Sequence, residues 1–432
     1  MSLKQKIQDK TAVVGVVGLG YVGLPMAVTV ARKGFRVIGV DVSKHAVDSV
    51  NAGENYIGDV DDAELKELVE KKMLSASLSY DVMNECDVIM TAVPTPLDKY
   101  QQPDSSYVRS SVKSLAETVS KDTLVILEST TYPGTTAEIV APAFEKKGFV
   151  VGKDIFVAFS PERVDPGNKD YKTNNTPKVV GGMTEQCNEL SKIFYEAILD
   201  APIHLVSSPA IAEMEKIYEN TFRNINIALA NEMTILCEKM GLDVWEVIEA
   251  AKTKPYGFMA FYPGPGIGGH CIPLDPFYLT WKAREYNYHT RLIELAGEIN
   301  NSMPEFVIAK LGRLLNKKGL AISRSKILLL GAAYKKDIED MRESPIQDLI
   351  CILEDNGADF DYNDPHVPTF HNELNDKHYT SVGLDNIEDY DAVIIVTNHS
   401  AYDYEDIVKR AKLILDTRLA CDGIKAENLV RM

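Results

Sequence analysis

The densest chemistry in the sequence lies in the run Pro263-Gly-Pro-Gly-Ile-Gly-Gly-His-Cys-Ile-Pro-Leu-Asp275. Glycines and prolines surround His270, Cys271 and Asp275, a composition that is entropically unfavourable to order. Glycine backbone can come close to a ligand or adopt positive φ. A thiol there, followed four residues on by a carboxylate, has the residue types of a nucleophile with a water-handling partner. A cysteine in a tight loop is also a common structural residue, so both readings stand on this segment alone. His270 need not face the neighbouring thiol and is not assigned as a base. A second group precedes it: Glu213, Lys216 and Asn220, at spacings of three and four, share one helix face, which Arg223 extends by a turn. Charges on a helix are ordinarily solvated surface. A Lys beside an Asn on a long helix could instead stabilise an oxyanion.

A third constellation is Gly18-Leu-Gly20-Tyr21-Val22-Gly23, with Asp41 eighteen residues further on. Gly18 suits a tight turn, Gly20 a close approach to a pyrophosphate, and Gly23 close packing of helix on strand. The helix N-terminus would offer free N–H groups to the phosphates. Asp41 can accept hydrogen bonds from ribose hydroxyls and would repel a 2′-phosphate, which favours NAD over NADP. A glycine-rich turn that binds nothing is the plain alternative, and a flavin the chemical one.

The elements that must position these residues are short apolar runs alternating with helical patterns. Expected strands are Ala12–Val17, Phe35–Asp41, Asp87–Val93, Thr123–Glu128, Ile155–Phe159, Lys178–Gly181 and Ile203–Val206. Helical periodicity falls between most of them, predicting a parallel, doubly wound sheet. Ser208-Pro209 then opens a helix that runs unbroken to about Met240. Further helices are expected at Val244–Lys252, Pro276–Glu285, Leu292–Asn300 and from Pro304 to about Lys317. Strands at Lys326–Leu330, Asp359–Tyr362, Ala392–Thr397 and Leu413–Leu415, with a helix at Pro345–Asn356, make a second, smaller α/β unit. The fold class is therefore α/β: two Rossmann-like parallel-sheet domains joined by a long central helix, which could offer a dimer face, and a helical region. The expected domains are 1–207, the dinucleotide-binding unit; 208–318, helical and carrying the Cys271 segment; and 319–432, the smaller α/β unit.

Composition narrows the function classes. The 432 residues are 45% hydrophobic and 25% charged, as in folded soluble chains, which excludes global disorder. The net charge of −17 disfavours nucleic acid and anionic membranes as partners. The six cysteines are scattered and form no CxxC pair, so neither a disulfide scaffold nor a zinc module is expected. The histidines, His366 and His371 included, show no complete ligand set, and no metal is expected. The uncharged stretch Thr11–Ala31 has membrane-spanning length, but its glycines and split periodicity fit a strand, turn and helix better. A cytoplasmic location follows as the expectation.

Six motifs in order resemble those of the nucleotide-sugar 6-dehydrogenases, the UDP-glucose/UDP-N-acetylhexosamine dehydrogenase family, over nearly the whole chain. They are Gly18–Pro25; Val93-Pro-Thr95-Pro96 with Ser129-Thr130; Ser160-Pro-Glu162-Arg163; Glu215-Lys216-Ile-Tyr-Glu-Asn220; Gly268-Gly-His-Cys271 with Asp275; and Tyr334-Lys335 with Arg342-Glu-Ser-Pro345. The resemblance implies oxidation of a sugar CH₂OH to a carboxylate with two NAD per turnover. It implies that Cys271 is the nucleophile, that Lys216 and Asn220 stabilise the oxyanion, that Asp275 or Glu162 activates water, and that Thr130 orients a water or the hydroxyl. It places Gly18, Gly20, Tyr21, Val22, Gly23, Asp41, Thr95, Thr130 and Arg342 on the cofactor. Glu162, Arg163, Lys216, Asn220, Tyr262, Gly268 and Lys335 fall on a UDP-sugar. The resemblance also implies that 208–318 is the dimerisation domain, that 319–432 binds the UDP-sugar, and that the chain forms a homodimer or higher homo-oligomer. His270 and Leu274 stand where the UDP-glucose enzymes usually carry Ser and Lys. The Cys271–Trp281 run is more similar to the N-acetylhexosamine branch, UDP-N-acetylglucosamine enzymes first and UDP-N-acetylmannosamine enzymes next, and surface polysaccharide synthesis is the implied context. The family's partner-subunit Arg has no obvious match; Lys254 is the nearest basic residue. A simple β-hydroxyacid dehydrogenase and a non-enzymatic NAD sensor are the alternatives, but neither accounts for Cys271 and the C-terminal unit.

Overall fold

A computed structural model describes every residue except 58–59, 99 and 165–169. The chain forms two compact units, Met1–Glu219 with Phe277–Tyr288 and Asn220–Pro276 with His289–Met432. The first is built on β1 (Val13–Val17), β2 (Arg36–Val40), β3 (Leu74–Ser77), β4 (Val88–Thr91), β5 (Thr123–Leu127), β6 (Ile155–Phe159), β7 (Lys178–Gly182) and β8 (Ile203–Val206). Their order, β3-β2-β1-β4-β5-β6-β7-β8, reverses direction between β1 and β4. That crevice is where doubly wound sheets bind ligands, beyond the carboxyl ends of the strands. Strands buried on both faces need continuous apolar runs. Val14 and Val16 pack with Leu24 and Ala27 in one cluster, while Val17 and Ile89 pack with Val112 and Leu115 in another.

Two features of this sheet depart from the sequence expectation. β6 and β7 pair antiparallel, Ala158 opposite Gly182 and Phe159 opposite Gly181, so the sheet is not wholly parallel. β3, Leu-Ser-Ala-Ser, was not foreseen, because small polar residues carry little strand signal.

The second unit's sheet contains β9 (Lys326–Leu330) and β10 (Asp359–Asn363). Beyond the hairpin of β11 (Thr369–Asn372) and β12 (Lys377–Thr380), it adds β13 (Ala392–Ile395), β14 (Ile414–Asp416) and β15 (Leu429–Arg431). The order β10-β9-β13-β14-β15 is parallel throughout and switches direction between β9 and β13. The helix Pro209–Met240 starts in the first unit and continues into the second as one element of 32 residues. Among the described residues no helix is long and apolar enough to cross a membrane.

Candidate functional site

The turn after β1 meets the demands of a dinucleotide. Gly18 sits at φ 89°, where a Cβ would lie 2.5 Å from the Ala92 carbonyl oxygen. A Cβ on Gly23 would lie 1.7 Å from the Gly18 oxygen. Gly20 differs: a Cβ there would meet nothing within 4 Å, so its backbone faces open space. The helix Gly23–Arg32 follows, and no described side chain caps its first turn; the Leu24 and Met26 amides donate to the Gly20 and Val22 carbonyls, which leaves the Gly23 amide at the helix start for an anion. Tyr21 is half-exposed, and Val22 precedes the helix. Asp41, just beyond β2, accepts from the Leu19 amide (2.7 Å) and the Ser43 amide (2.8 Å), which holds its carboxylate beside the turn. These residues fit an NAD. Thr95 follows β4, buried, and its carbonyl accepts from the Tyr278 hydroxyl.

Beyond β5 and β6 lies a buried ionic group. Glu162 Oε1 accepts the amides of Arg163 (2.8 Å) and Val164 (2.9 Å), and Oε2 lies 3.3 Å from Lys178 Nζ. Lys178 also reaches Glu128 Oε2 at 3.3 Å, and the Tyr195 hydroxyl donates to Glu128 Oε1. Burial pushes Glu162 toward the neutral acid, but Lys178, the two amides and Lys216 outweigh it and hold the carboxylate below its ordinary range. Burial prevails at Glu128, whose pKa is raised.

Lys216 on the long helix is only 7% exposed. Among the described residues of its unit its ammonium makes no hydrogen bond or ion pair, and its charge acts on Glu162, Glu215 and Glu219. Glu213 does not join it. Its carboxylate is fully buried and accepts from the Gly134 amide (2.6 Å) and from the Thr136 amide and hydroxyl (2.8 and 2.7 Å), a cap on the following helix. Arg163 is bound by Glu219 through Nε and Nη2, lies 3.5 Å from Glu215, and donates to the Pro177 carbonyl. Its charge is therefore already offset, which weakens its case as a substrate-anion contact. Burial first, then the hydrogen-bonded Glu219, lifts Glu215 to about 7.

In the second unit, Cys271 is exposed and is the first residue of a helix, Cys271–Ala283. The expected start at Pro276 was five residues late. Pro276 sits inside the helix, where the missing N–H and ring clash cost about 3 kcal/mol or more. The carbonyl it leaves without a helical donor, that of Ile272, accepts from Asn224 Nδ2 at 3.1 Å. A helix N-terminus favours thiolate over thiol. One turn on, Asp275 is 2% exposed and accepts from Asn220 Nδ2 at 2.5 Å. The glycines before Cys271 are needed for packing. A Cβ on Gly268 would lie 2.5 Å from Tyr334 Cβ, and one on Gly269, at φ 86°, 2.8 Å from the Tyr334 ring. The Gly269 amide donates to the Arg342 carbonyl at 2.9 Å.

The remaining expected contacts are spread over the second unit. Lys335 is half-buried. Arg342 pairs through Nε and Nη2 with Asp340. The Tyr262 hydroxyl donates to Glu249 (2.6 Å) and accepts from Lys252 (3.1 Å). Burial, then Arg342, lowers the His270 pKa.

Sequence reasoning passed over three residues. Thr131, beside the chosen Thr130, is 3% exposed and its hydroxyl lacks a hydrogen-bond partner among the described residues, whereas Thr130 is half-exposed. Lys178 read only as the first residue of a strand. Arg418, whose Nε donates to the Val396 carbonyl, abuts Gly264, and burial lowers it to about 10. Among the described residues Asp337, His366 and His399 bring ligand atoms within 4.8 Å of one another. Both His399 nitrogens are engaged, Nδ1 by the Asp337 amide and Nε2 by Asp364.

Comparison with known proteins matches the whole layout. Three profiles of the UDP-glucose/GDP-mannose dehydrogenase family match in order: the NAD binding domain over residues 12–199, the central domain over 210–302 and the UDP binding domain over 328–423. The chain belongs to this family. It is 36% identical to a UDP-N-acetyl-D-glucosamine 6-dehydrogenase of Pseudomonas aeruginosa, over 90% of this chain and 91% of that one. It is 34% identical to a UDP-N-acetyl-D-mannosamine dehydrogenase of Methanococcus maripaludis, over 93% and 92%. The solved UDP-D-ManNAc dehydrogenase of Pyrococcus horikoshii superposes with a TM-score of 0.89 at 32% identity, covering 97% of this chain and 98% of that one. The protein is an NAD-dependent UDP-sugar dehydrogenase, with its UDP-binding portion at the C-terminal end.

Proposed function

We propose that the enzyme oxidises C6 of a UDP-N-acetylhexosamine, UDP-N-acetylglucosamine in preference to UDP-N-acetylmannosamine or UDP-glucose, to the uronic acid in two two-electron steps. The observation that carries this is the exposed Cys271 thiol at a helix start, one turn before the buried Asp275 held by Asn220. Bound NAD⁺ supplies the hydride acceptor, twice per sugar. The Cys271 thiolate adds to the C6 aldehyde, and oxidation of that thiohemiacetal leaves a thioester. Lys216 and Asn220 stabilise the developing oxyanion. Glu162, ionised across neutral pH, accepts a proton from the water that releases the uronate, with Asp275 as the alternative base. Thr130 orients that water, and Thr131, its hydroxyl buried and unpartnered, is the alternative. Lys335, Gly268 and Tyr262 contact the sugar nucleotide; Arg163 has its charge offset and ranks below them. Arg342 serves the cofactor.

The Cys271–Trp281 run supports the N-acetylglucosamine preference. The domains 1–207, 208–318 and 319–432 divide these tasks, in the cytoplasm. Exposed apolar side chains along the long helix, Ile211, Met214, Tyr218, Phe222, Leu229 and Leu236, support a homodimer. The test is a panel of UDP-sugars, scoring NADH formed per sugar and kcat/KM. Two NADH and at least a roughly tenfold preference for UDP-N-acetylglucosamine, about 1.4 kcal/mol, are expected. One NADH per sugar contradicts the mechanism, and equal kcat/KM values contradict the preference.

A further inference from the structure

The reversal of β7 against β6 has a chemical result. Because the strands run antiparallel, Lys178, the first residue of β7, lies at the sheet edge where β5 and β6 end. Glu128 directly follows β5, and Glu162 lies three residues beyond the end of β6. One ammonium therefore serves two carboxylates, each at 3.3 Å. Lys178 is 3% exposed, Glu128 2% and Tyr195 0%. The Tyr195 hydroxyl donates to Glu128, and Lys178 Nζ lies 5.4 Å from the centre of the Tyr195 ring.

A Lys178–Glu128 pair alone would be a neutral, buried structural bridge. The second carboxylate gives it another role. Glu162 Oε1 is occupied by two amides and Oε2 by the ammonium. An ionised carboxylate has about four acceptor positions, so, among the described residues, one position on Oε2 is left for a water. We propose that Lys178 is a positioning residue for Glu162, fixing its carboxylate and keeping it deprotonated while the acyl group is hydrolysed, with Glu128 and Tyr195 holding Lys178 in place. This rests on the reading of Glu162 as the group that accepts the water's proton.

The groups that face Glu162 are Lys178, Lys216 and the adjacent Arg163, which favour its ionised form, and Glu128 and Tyr195. Burial is the largest opposing influence. An opposite charge at this range lowers a carboxylate pKa by about 1–3 units, so loss of Lys178 raises that of Glu162.

The experiment follows uronate release by the full-length enzyme with UDP-N-acetylglucosamine and NAD⁺, in single turnovers for the acid limb and in steady state for KM, from acid to neutral pH. Lys178→Met is expected to move the acid limb up by about one unit or more, with substrate KM unchanged within about twofold, and Lys178→Arg to restore the limb. Lys178→Met leaves Glu128 buried without its cation, which can prevent folding. The double variant Lys178→Met/Glu128→Gln removes both charges and reports the same limb. A folded double variant with an unmoved limb, or a folded Lys178→Arg variant that fails to restore it, overturns the proposal. Glu162→Gln separates the two levels. Full release in that variant removes Glu162 as the base and the proposal with it. Impaired release in Glu162→Gln with an unmoved limb in the lysine variants overturns the positioning role alone.

Discussion

The two sheets begin with the same turn and use it differently. Gly18 after β1 and Gly331 after β9 take φ of 89° and 88°. A Cβ on either would strike a carbonyl oxygen from the neighbouring strand's end, Ala92 at 2.5 Å or Thr397 at 2.4 Å. Beyond that glycine the turns diverge. In the first unit Gly20 faces open space, and Asp41 accepts amides from Leu19 and Ser43. In the second, Asp364 reaches into the turn: Oδ2 accepts the amides of Ala332 (2.6 Å) and Ala333 (3.0 Å), and Oδ1 those of His366 (2.7 Å) and Val367 (3.0 Å). His399 Nε2 adds a fifth contact at 2.9 Å. The protein's own carboxylate occupies the amides of this turn. The lead glycine is thus a folding requirement in both turns, and the residues after it differ: open backbone at Gly20, a buried carboxylate at Asp364.

The predictions press on that difference, largest effect first. Cys271→Ala lies outside both turns and serves as the reference: uronate formation falls below detection while NAD⁺ still binds, as checked by product chromatography and calorimetry. Asp364→Asn removes an anionic acceptor of five donors and lowers stability by on the order of 3 kcal/mol in urea unfolding at pH 7. Burial opposes ionisation of Asp364, but His399 and the amides prevail and hold its pKa below the ordinary value. Its contribution is therefore present above the unfolded value near about 4 and lost as pH falls through the folded one. The deficit of the Asn variant should shrink in acid; a constant deficit contradicts the ionic role. Gly18→Ala and Gly331→Ala should each destabilise by roughly 1–3 kcal/mol. Gly20→Val should leave stability within about 0.5 kcal/mol and weaken NAD⁺ binding. Equal stability losses at Gly18 and Gly20 would erase the distinction. The smallest effect is Asp41→Asn, which should shift preference toward NADP⁺ by about tenfold in kcat/KM.

Much of this was legible because it is local. The turn at Gly18–Gly23, the alternating elements of the first unit and the unbroken run to Met240 each declare themselves within a few dozen residues. The features that stayed hidden depend on distant partners. The helix was expected to open at Pro276, and only the Asn224 side chain, 48 positions before Ile272, shows how it can begin at Cys271 and run through that proline. Glu213 has the spacing to share a face with Lys216, yet its partners lie 77 and 79 positions away. The pairing of Glu162 with Lys178 follows from one antiparallel strand in a sheet read as parallel. The hairpin β11–β12 and the edge strand β15 are short and lack strong apolar alternation.

The central claim is that oxidation passes through an acyl group on Cys271, released with the help of Glu162. It is tested most directly by intact-protein mass spectrometry of Glu162→Gln quenched after mixing with UDP-N-acetylglucosamine and NAD⁺. The account predicts a mass increase matching the sugar-nucleotide acyl group, mapped to Cys271 and absent from Glu162→Gln/Cys271→Ser. No adduct, with two NADH still formed per sugar at the unaltered rate, would contradict it.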